Sequence, residues 1–552
     1  LAIDDASARW QPARQRWPSL VLAALFAVSS GCPPVPPATV CASDSDCPRG
    51  HCDPAGHFCY LDPITHAGGD GGAIDSATDR DGSARDSVRE GGPGDTASSD
   101  GSVFDVTTDA NHGDAACSTF APVVQLACGN SSTCALSLAG QIKCWGGNAN
   151  GELGLGDTIK RGDSAGEMGC RLPAVDLGNH RATAIAGGFN HFCAIVDDGT
   201  VRCWGYNLYG QLGLGDTRNR GDQPGQMGDA LPAVDLGAAT GVVEVATGAQ
   251  HTCARFADGA IKCWGRNHVG QLGIGDTKSR GDDAIEAPCD AGSGADGAVS
   301  CEMGSALPFV DVGVDGGVTG LVAGAYHSCV VLADTHIKCW GYNNSGQLGL
   351  EDVANRGDGP GEMGANLPTV HVYESMAVAT RNAFNCALLA TGQVRCWGYN
   401  GNGQLGVGDT TNRGGVAGDM EPMPNVDLQT SGTVTHVAVG NNHACAVLGG
   451  RTIKCWGWNY EGQLGLGDTV ARGNQPNELG PALPTVALGV DQPVRQISIG
   501  GSHGCVLFEG DAGVRCWGYN VYGQLGLGDA EHRGDDPNEM GLRLPAVDLG
   551  VP

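Results

Sequence analysis

One tripeptide, Cys-Trp-Gly, recurs seven times, with its tryptophans at Trp145, Trp204, Trp264, Trp340, Trp397, Trp456 and Trp517. The spacings are 59, 60, 76, 57, 59 and 61 residues. A unit of this size cannot bury an apolar face alone, but stacked copies can, so such a period implies a repeat architecture. Each unit carries four strand-like pieces. A Val-x-x-Val-Ala-x-Gly type run such as Val242 to Gly248 comes first, then a Cys-Ala-Leu-like run such as Cys386 to Leu389. The piece ending in Cys-Trp-Gly follows, and a Leu-Pro-x-Val-Asp-Leu piece such as Leu231 to Leu236 closes the unit. With 91 glycines the chain is too turn-rich for a helical protein, and at 41% hydrophobic it is too apolar to be wholly disordered. The expected fold is all-β: a seven-bladed propeller of four-stranded antiparallel blades over 119–552.

The ends of the array suggest how the ring closes. The first unit opens at Val123 with no Val-Asp-Leu piece before it, and the last ends on one, Ala546 to Gly550. A leftover C-terminal strand completing the N-terminal blade would remove the open sheet edge at the seam. That reading expects blade order and sequence order to be offset.

Trp-Gly-Tyr-Asn-x-x-Gly-Gln-Leu-Gly-x-Gly-Asp at Trp397 to Asp409, with His-x-Cys-Ala ahead of such a stretch at His443 to Ala446, resembles the regulator of chromosome condensation repeat family. The resemblance implies seven blades. It leaves function open, because members of that family range from nucleotide exchange on a GTPase to ultraviolet sensing and β-lactamase inhibition.

Six cysteine pairs, Cys134/Cys144, Cys193/Cys203, Cys253/Cys263, Cys329/Cys339, Cys386/Cys396 and Cys445/Cys455, are each ten residues apart. An even separation needs an odd-length hairpin loop, and a three-residue loop favours glycine in its last position. Gly140, Gly199, Gly259 and Gly392 stand there. Cys505/Cys516, eleven apart, suits a four-residue loop. All seven pairs are expected to be intra-blade disulfides. A redox role is disfavoured for these paired thiols. Unit three also carries an insertion, Ala284 to Ser300, flanked by Cys289 and Cys301, which would form a disulfide-closed loop; Cys117, Cys128 and Cys170 are left without an assigned partner.

Three further columns recur. An Asp and an Arg stand four apart in every unit: Asp157/Arg161, Asp216/Arg220, Asp276/Arg280, Asp352/Arg356, Asp409/Arg413, Asp468/Arg472 and Asp529/Arg533. A calcium site per blade is one reading, but an arginine in every copy repels a cation, and a loop clamp is preferred. The Arg-Gly-Asp triplets such as Arg220 to Asp222 read as scaffold rather than as an adhesion motif. Histidines at His191, His251, His327, His443 and His503 could ring a metal, yet Ser132 and Phe384 occupy the same position elsewhere, so a structural role is preferred and no metal or cofactor is expected. The third column is aromatic. Seven of the ten tyrosines follow Cys-Trp-Gly, at Tyr206, Tyr209, Tyr342, Tyr399, Tyr460, Tyr519 and Tyr522, joined by Trp458. Aromatics among Gly and Asn suit a recognition surface. Packing within each blade is the competing reading.

The N-terminal part differs in kind. Arg9, Arg14 and Arg16 precede an apolar run, Leu20 to Val28, too short for a membrane-spanning helix, and Ser29-Ser30-Gly31-Cys32 follows. This reads as a signal peptide over 1–31. The segment ending in Cys resembles a bacterial lipobox, with Ser29 where leucine is usual, and implies lipidation at Cys32. A small segment, 32–60, holds Cys41, Cys47, Cys52 and Cys59, read as two disulfides in preference to a four-thiolate metal site. Residues 61–118 are rich in Asp, Gly and Ser and read as a disordered acidic linker. The 24 cysteines fit an oxidising space, and a net charge of −29 argues against nucleic acid. No Ser/His/Asp set, phosphate loop or metal-ligand spacing stands out. The sequence therefore points to a non-catalytic, extracytoplasmic and monomeric interaction module, lipid-anchored or secreted, that binds a protein or a glycan. A structural envelope scaffold is the alternative, and GTPase exchange is a distant third.

Overall fold

A computed structural model describes residues 51–52, 59–60, 120–237, 241–282, 302–314, 317–429, 432–510 and 513–550. The chain divides into two units, 1–106 and 107–552. In the first, His51–Cys52 pairs antiparallel with Cys59–Tyr60, placing Cys52 opposite Cys59. The leader, Cys32, the acidic stretch and the insertion with Cys289 and Cys301 lie outside the described residues.

The second unit holds seven antiparallel sheets. Blade 1 comprises Val123–Cys128, Ser132–Ser137 and Ile142–Gly146. Six more blades repeat that order, their first strands at Ala182–Gly187, Val242–Thr247, Val318–Ala323, Ser375–Thr380, Val434–Val439 and Val494–Ile499. First strands of successive blades lie side by side, and that of blade 7 returns to that of blade 1, so the ring is closed. The hydrophobic core is divided among the joints. One cluster joins Leu136, Ile142 and Val175 of blade 1 to Phe192, Ala194 and Trp204 of blade 2. Another joins Leu507, Val514 and Leu549 of blade 7 to Leu126 and Trp145 of blade 1.

The hairpins follow the cysteine spacing. In blade 2, Val196 N–H donates to Thr200 at 3.0 Å, leaving three loop residues that end on Gly199 at φ +79°. That left-handed conformation is the one a three-residue hairpin imposes on its last residue. In blade 7, Phe508 bonds to Gly513, which makes a four-residue loop. The register sets each cysteine opposite its partner, as with Cys193 and Cys203. A disulfide closes every blade. Cys134 is joined to Cys144, Cys193 to Cys203, Cys253 to Cys263 and Cys329 to Cys339, each at a Cα–Cα distance of 4.1 Å. Cys386 is joined to Cys396, Cys445 to Cys455 and Cys505 to Cys516 at the same distance. All of these cysteines are fully buried, so the bridges staple hairpins inside the core and offer no sulfur to the surface.

Two expectations are corrected. The sheets have three strands, not four. The Leu-Pro-x-Val-Asp-Leu piece runs beside the third strand but makes a single ladder-like bond to it, such as Val175 N–H to Ile142 O at 2.8 Å. Its proline lacks an N–H, and its aspartate turns back to cap its own backbone, as Asp176 does for Gly178. The piece is a strap fastened by buried Leu172, Val175 and Leu177. The offset closure is also absent. The last strap bonds to its own blade, Val547 N–H to Val514 O at 2.9 Å, as every strap does. It reaches blade 1 through Gly169 N–H to Asp548 O and Phe120 N–H to Gly550 O. Gly228 N–H to Asp176 O repeats the first of these contacts between blades 2 and 1. Blade order and sequence order therefore coincide, and the seam is built like other joints.

Candidate functional site: the loop face

Because the three strands of a blade alternate in direction, the loop between strands one and two and the long loop after Cys-Trp-Gly emerge on the same face. The long loop is fixed from within. Asn207 donates to Asp216 through Nδ2, while its Oδ1 accepts from Leu212 N–H. Arg220 reaches Asp216 Oδ2 at 2.7 Å and donates to the carbonyls of Arg218 and Asn219. The Arg–Asp pair recurs in all seven blades at 2.6 to 2.7 Å. The aspartate's second oxygen accepts from the backbone two residues on, as Asp216 Oδ1 does from Arg218. Both carboxylate oxygens are thus engaged, and the guanidinium already fills the place a cation would take. The column is a loop clamp. The same bonds occupy Arg220 of the Arg-Gly-Asp triplet, while Gly221 N–H donates to Gln226.

Joints between blades carry the rest of the polar repeat. Each Cys-Trp-Gly tryptophan is fully buried and donates its Nε1 to a carbonyl of the preceding blade, from Trp204 to Glu152 O at 2.9 Å through to Trp145 to Gln524 O at 3.0 Å across the seam. The histidines point the other way. His191 meets Thr252, His251 meets Ser328, His327 meets Asn385 and His503 meets Thr133, each Nε2 at 2.9 Å from the next blade's side chain. His443 faces the position of Gly504, which has no side chain, and both its ring nitrogens lack a partner. Where histidine is missing the facing residue is apolar, Phe192 for Ser132 and Ala444 for Phe384. Burial holds His191, His251, His443 and His503 down to about 3 and His327 to about 4, so all five are neutral at pH 7. Their role is structural. Among the described residues the one set of three potential metal donors close together is Cys128, His503 and Cys505, and the Cys505 sulfur is already spent in its disulfide with Cys516. Cys128 is a free, buried thiol, whereas Cys170 is disulfide-bonded.

The eight aromatics singled out by the sequence do not form an even ring. Tyr460 is 70% exposed, Tyr522 44% and Trp458 36%, whereas Tyr206, Tyr209, Tyr342, Tyr399 and Tyr519 are half-buried. Trp458 and Tyr460 stack at 5.8 Å in blade 6. In blade 7, Tyr519 and Tyr522 meet edge to face at 6.1 Å, with His532 against Tyr519. In blades 2 to 4 the arrangement is a bridge: Arg266 lies 4.4 Å from the Tyr209 ring and 6.0 Å from that of Tyr326. Sequence reasoning passed over Tyr326, because it sits in the short inner loop rather than after Cys-Trp-Gly. It also passed over the buried lysines. Lys143 Nζ, for example, donates to Gly169 O and to Leu549 O of blade 7, clamping the seam from inside. The signal was the Ile-Lys-Cys-Trp-Gly repeat itself, in which a lysine recurs beside a buried tryptophan.

The chain is 28% identical over 417 residues to the Ultraviolet-B receptor UVR8 of Arabidopsis thaliana, covering 74% of this chain and 80% of that protein. It is 27% identical over 379 residues to the probable E3 ubiquitin-protein ligase HERC4 of Homo sapiens, of which it spans only 32%. Human WBSCR16 superimposes with a TM-score of 0.49 at 21% identity, covering 70% of this chain and 91% of that one. Prp20p of Saccharomyces cerevisiae does so with 0.48 at 19%, covering 70% and 83%. Models of the regulator of chromosome condensation (RCC1) repeat match residues 391–447 and 455–507. The RCC1-like domain model matches residues 98–413, more than half of the chain, which therefore belongs to the RCC1-like domain family.

Proposed function

We propose that the protein acts by binding, and that the loop face over blades 6 and 7 captures a protein or glycan outside the cytoplasm. The observation that carries this reading is the exposed aromatic group Trp458, Tyr460 and Tyr522, set on loops whose backbone is clamped by Asp468–Arg472 and Asp529–Arg533. Large aromatics presented on a rigid frame give contact area at little ordering cost, which is what concentrates binding energy in a few residues. The seven disulfides suit an oxidising compartment, and no helix among the described residues is long and apolar enough to cross a membrane. Attachment would come from lipidation at Cys32. The half-buried aromatics of blades 2 to 4, tied together by Arg266, favour a second role for that part of the face as scaffold.

The test is the double variant Trp458→Ala with Tyr522→Ala, assayed against a glycan array and against cell-envelope extract. Binding should be lost, at roughly 1 to 4 kcal/mol per truncated hot-spot side chain, with the melting temperature nearly unchanged. A matching loss of stability would return these side chains to packing and remove the support for a binding face.

A further inference from the structure

The loop face shows in one place what chemistry it accepts over its aromatics. Tyr209 of blade 2 stands five residues after its Cys-Trp-Gly tryptophan, and Arg266 of blade 3 two residues after its own. The Arg266 guanidinium lies 4.4 Å from the Tyr209 ring, and its Nη1 donates to Gln250 Oε1 at 2.6 Å. Tyr209 is half-buried. Around the ring, blade 1 follows blade 7 as blade 3 follows blade 2. Tyr522 of blade 7 stands at the position of Tyr209, but Gly147 of blade 1 stands at that of Arg266. With no side chain from that position to cover it, Tyr522 is 44% exposed.

We propose that Tyr522 receives a cationic side chain from a partner, so that the ligand of this face is a basic segment of another polypeptide. The inference rests on the reading that this face binds, and it names the partner's chemistry. The surroundings are aromatic and acidic. Tyr519 meets Tyr522 at 6.1 Å, and Glu461 of blade 6 is close enough to join burial and Tyr522 in pushing the Tyr519 phenol up. A Cβ on Gly462 would lie 2.3 Å from Asp535 N, which places Asp535 beside the Glu461 segment. Glu531 is exposed and precedes His532, whose ring lies 4.9 Å from that of Tyr519. The cations of these loops are already engaged. Arg472 and Arg533 are in their clamps, and Lys160, which reaches Val521 O, is paired with Asp163 at 2.7 Å. A cation over an aromatic face is attracted by the ring quadrupole, and carboxylates without a cationic partner add to that attraction. An uncharged sugar would gain the stacking and none of the electrostatics. The net charge of −29 would also draw a basic segment in from a distance.

The experiment measures binding of labelled oligoarginine to the full chain by fluorescence anisotropy, with labelled cellohexaose as the uncharged probe. Oligoarginine should bind saturably and more weakly as salt is raised. Tyr522→Leu keeps an apolar side chain without the ring electrostatics and should weaken binding about two- to fivefold. Gly147→Arg installs the side chain that blade 3 carries there. It should cover Tyr522 from within and weaken binding by a similar factor with the melting temperature held. The first atom a Cβ at Gly147 meets is Ser131 Oγ at 2.8 Å, a side-chain end that can turn away. Val353→Arg adds the same charge on the long loop of blade 4, at a residue 55% exposed, and should leave binding nearly unchanged. Salt-dependent binding indifferent to Tyr522→Leu and Gly147→Arg would be attraction to the net charge alone and would overturn the inference, as would no saturable binding of oligoarginine. Its failure is distinct from failure of the binding face. If cellohexaose binds, and is lost with Trp458→Ala and Tyr522→Ala, while oligoarginine does not bind, the face stands and its cationic partner falls.

Discussion

Removing the last strap, by ending the chain at Arg543, should loosen the propeller at the two joints blade 7 makes. The strap contributes Val547 and Leu549 to the core shared by blades 7 and 1 and Leu544 to the core shared by blades 6 and 7, all at most 7% exposed. At about 1.5 to 3 kcal/mol for each fully buried aliphatic side chain, their loss costs roughly 5 to 9 kcal/mol, comparable with the whole stability of many domains. Lys143 Nζ and the N–H groups of Gly169 and Phe120 lose acceptors in the same step. With an unfolding entropy of about 2.1 cal/mol/K per residue over roughly 430 residues, the melting temperature should fall by about 5 to 10 °C in calorimetry with the disulfides intact. Leu542, two residues before the strap, is 91% exposed and provides the control. Leu542→Ala should leave the transition within about 1 °C. A truncated chain that melts with the full one would show that neither joint depends on the strap.

Peptide mapping without reduction should recover the seven intra-blade disulfides, and a pair such as Cys445→Ala with Cys455→Ala should cost about 3 kcal/mol by the chain-entropy relation; no change in melting would refute that contribution. Acid should destabilise the ring. The five buried histidines stay neutral in the fold down to about 3 or 4 but take up protons near 6.5 once unfolded. Their contribution is complete above pH 6.5 and is lost as the pH falls from there toward 3. His443→Phe, copying Phe384 of blade 5, should lower the acid midpoint without loss of stability at pH 7; an unchanged midpoint would contradict the assignment. A chelator should leave the melting temperature unchanged, since the clamp aspartates have both oxygens engaged, and a fall of several degrees would mean that a bound cation had been removed.

The ring, its blade count and its hairpin chemistry were legible because each is local or periodic. A separation of ten positions between cysteines dictates a three-residue loop, and Gly199 answers with its positive φ. The straps were misread because their apolar pattern is that of a strand. The proline that removes a donor and the aspartate that turns back on its own chain were in the sequence, but their effect depends on competition with the neighbouring ladder. Closure was misread for a related reason. Val123 and Gly550 mark the ends of the array, yet which blade the last strap serves is decided by one bond, Val547 to Val514, against side-chain packing toward blade 1.

Site residues pose the harder problem, because a repeat hides function under scaffold. The columns that recur in every blade, the Asp–Arg pair and the Cys-Trp-Gly tryptophan, do the same structural work seven times. The histidine column shows how strict that work is. Where histidine is kept, four of five imidazoles find a polar side chain on the next blade, and where it is lost the facing residue is apolar. Departures that the scaffold does not require are therefore the more informative positions. Tyr522 is one, left uncovered by Gly147 where its counterpart Tyr209 lies against Arg266. Trp458 and Tyr460 are others: they stack outward in blade 6, whereas blade 1 has Gly147 and Ala149 at the corresponding positions. Unlike the clamp or the buried tryptophans, these side chains make no hydrogen bond to another blade among the described residues, and that is why the proposed binding face is placed on them.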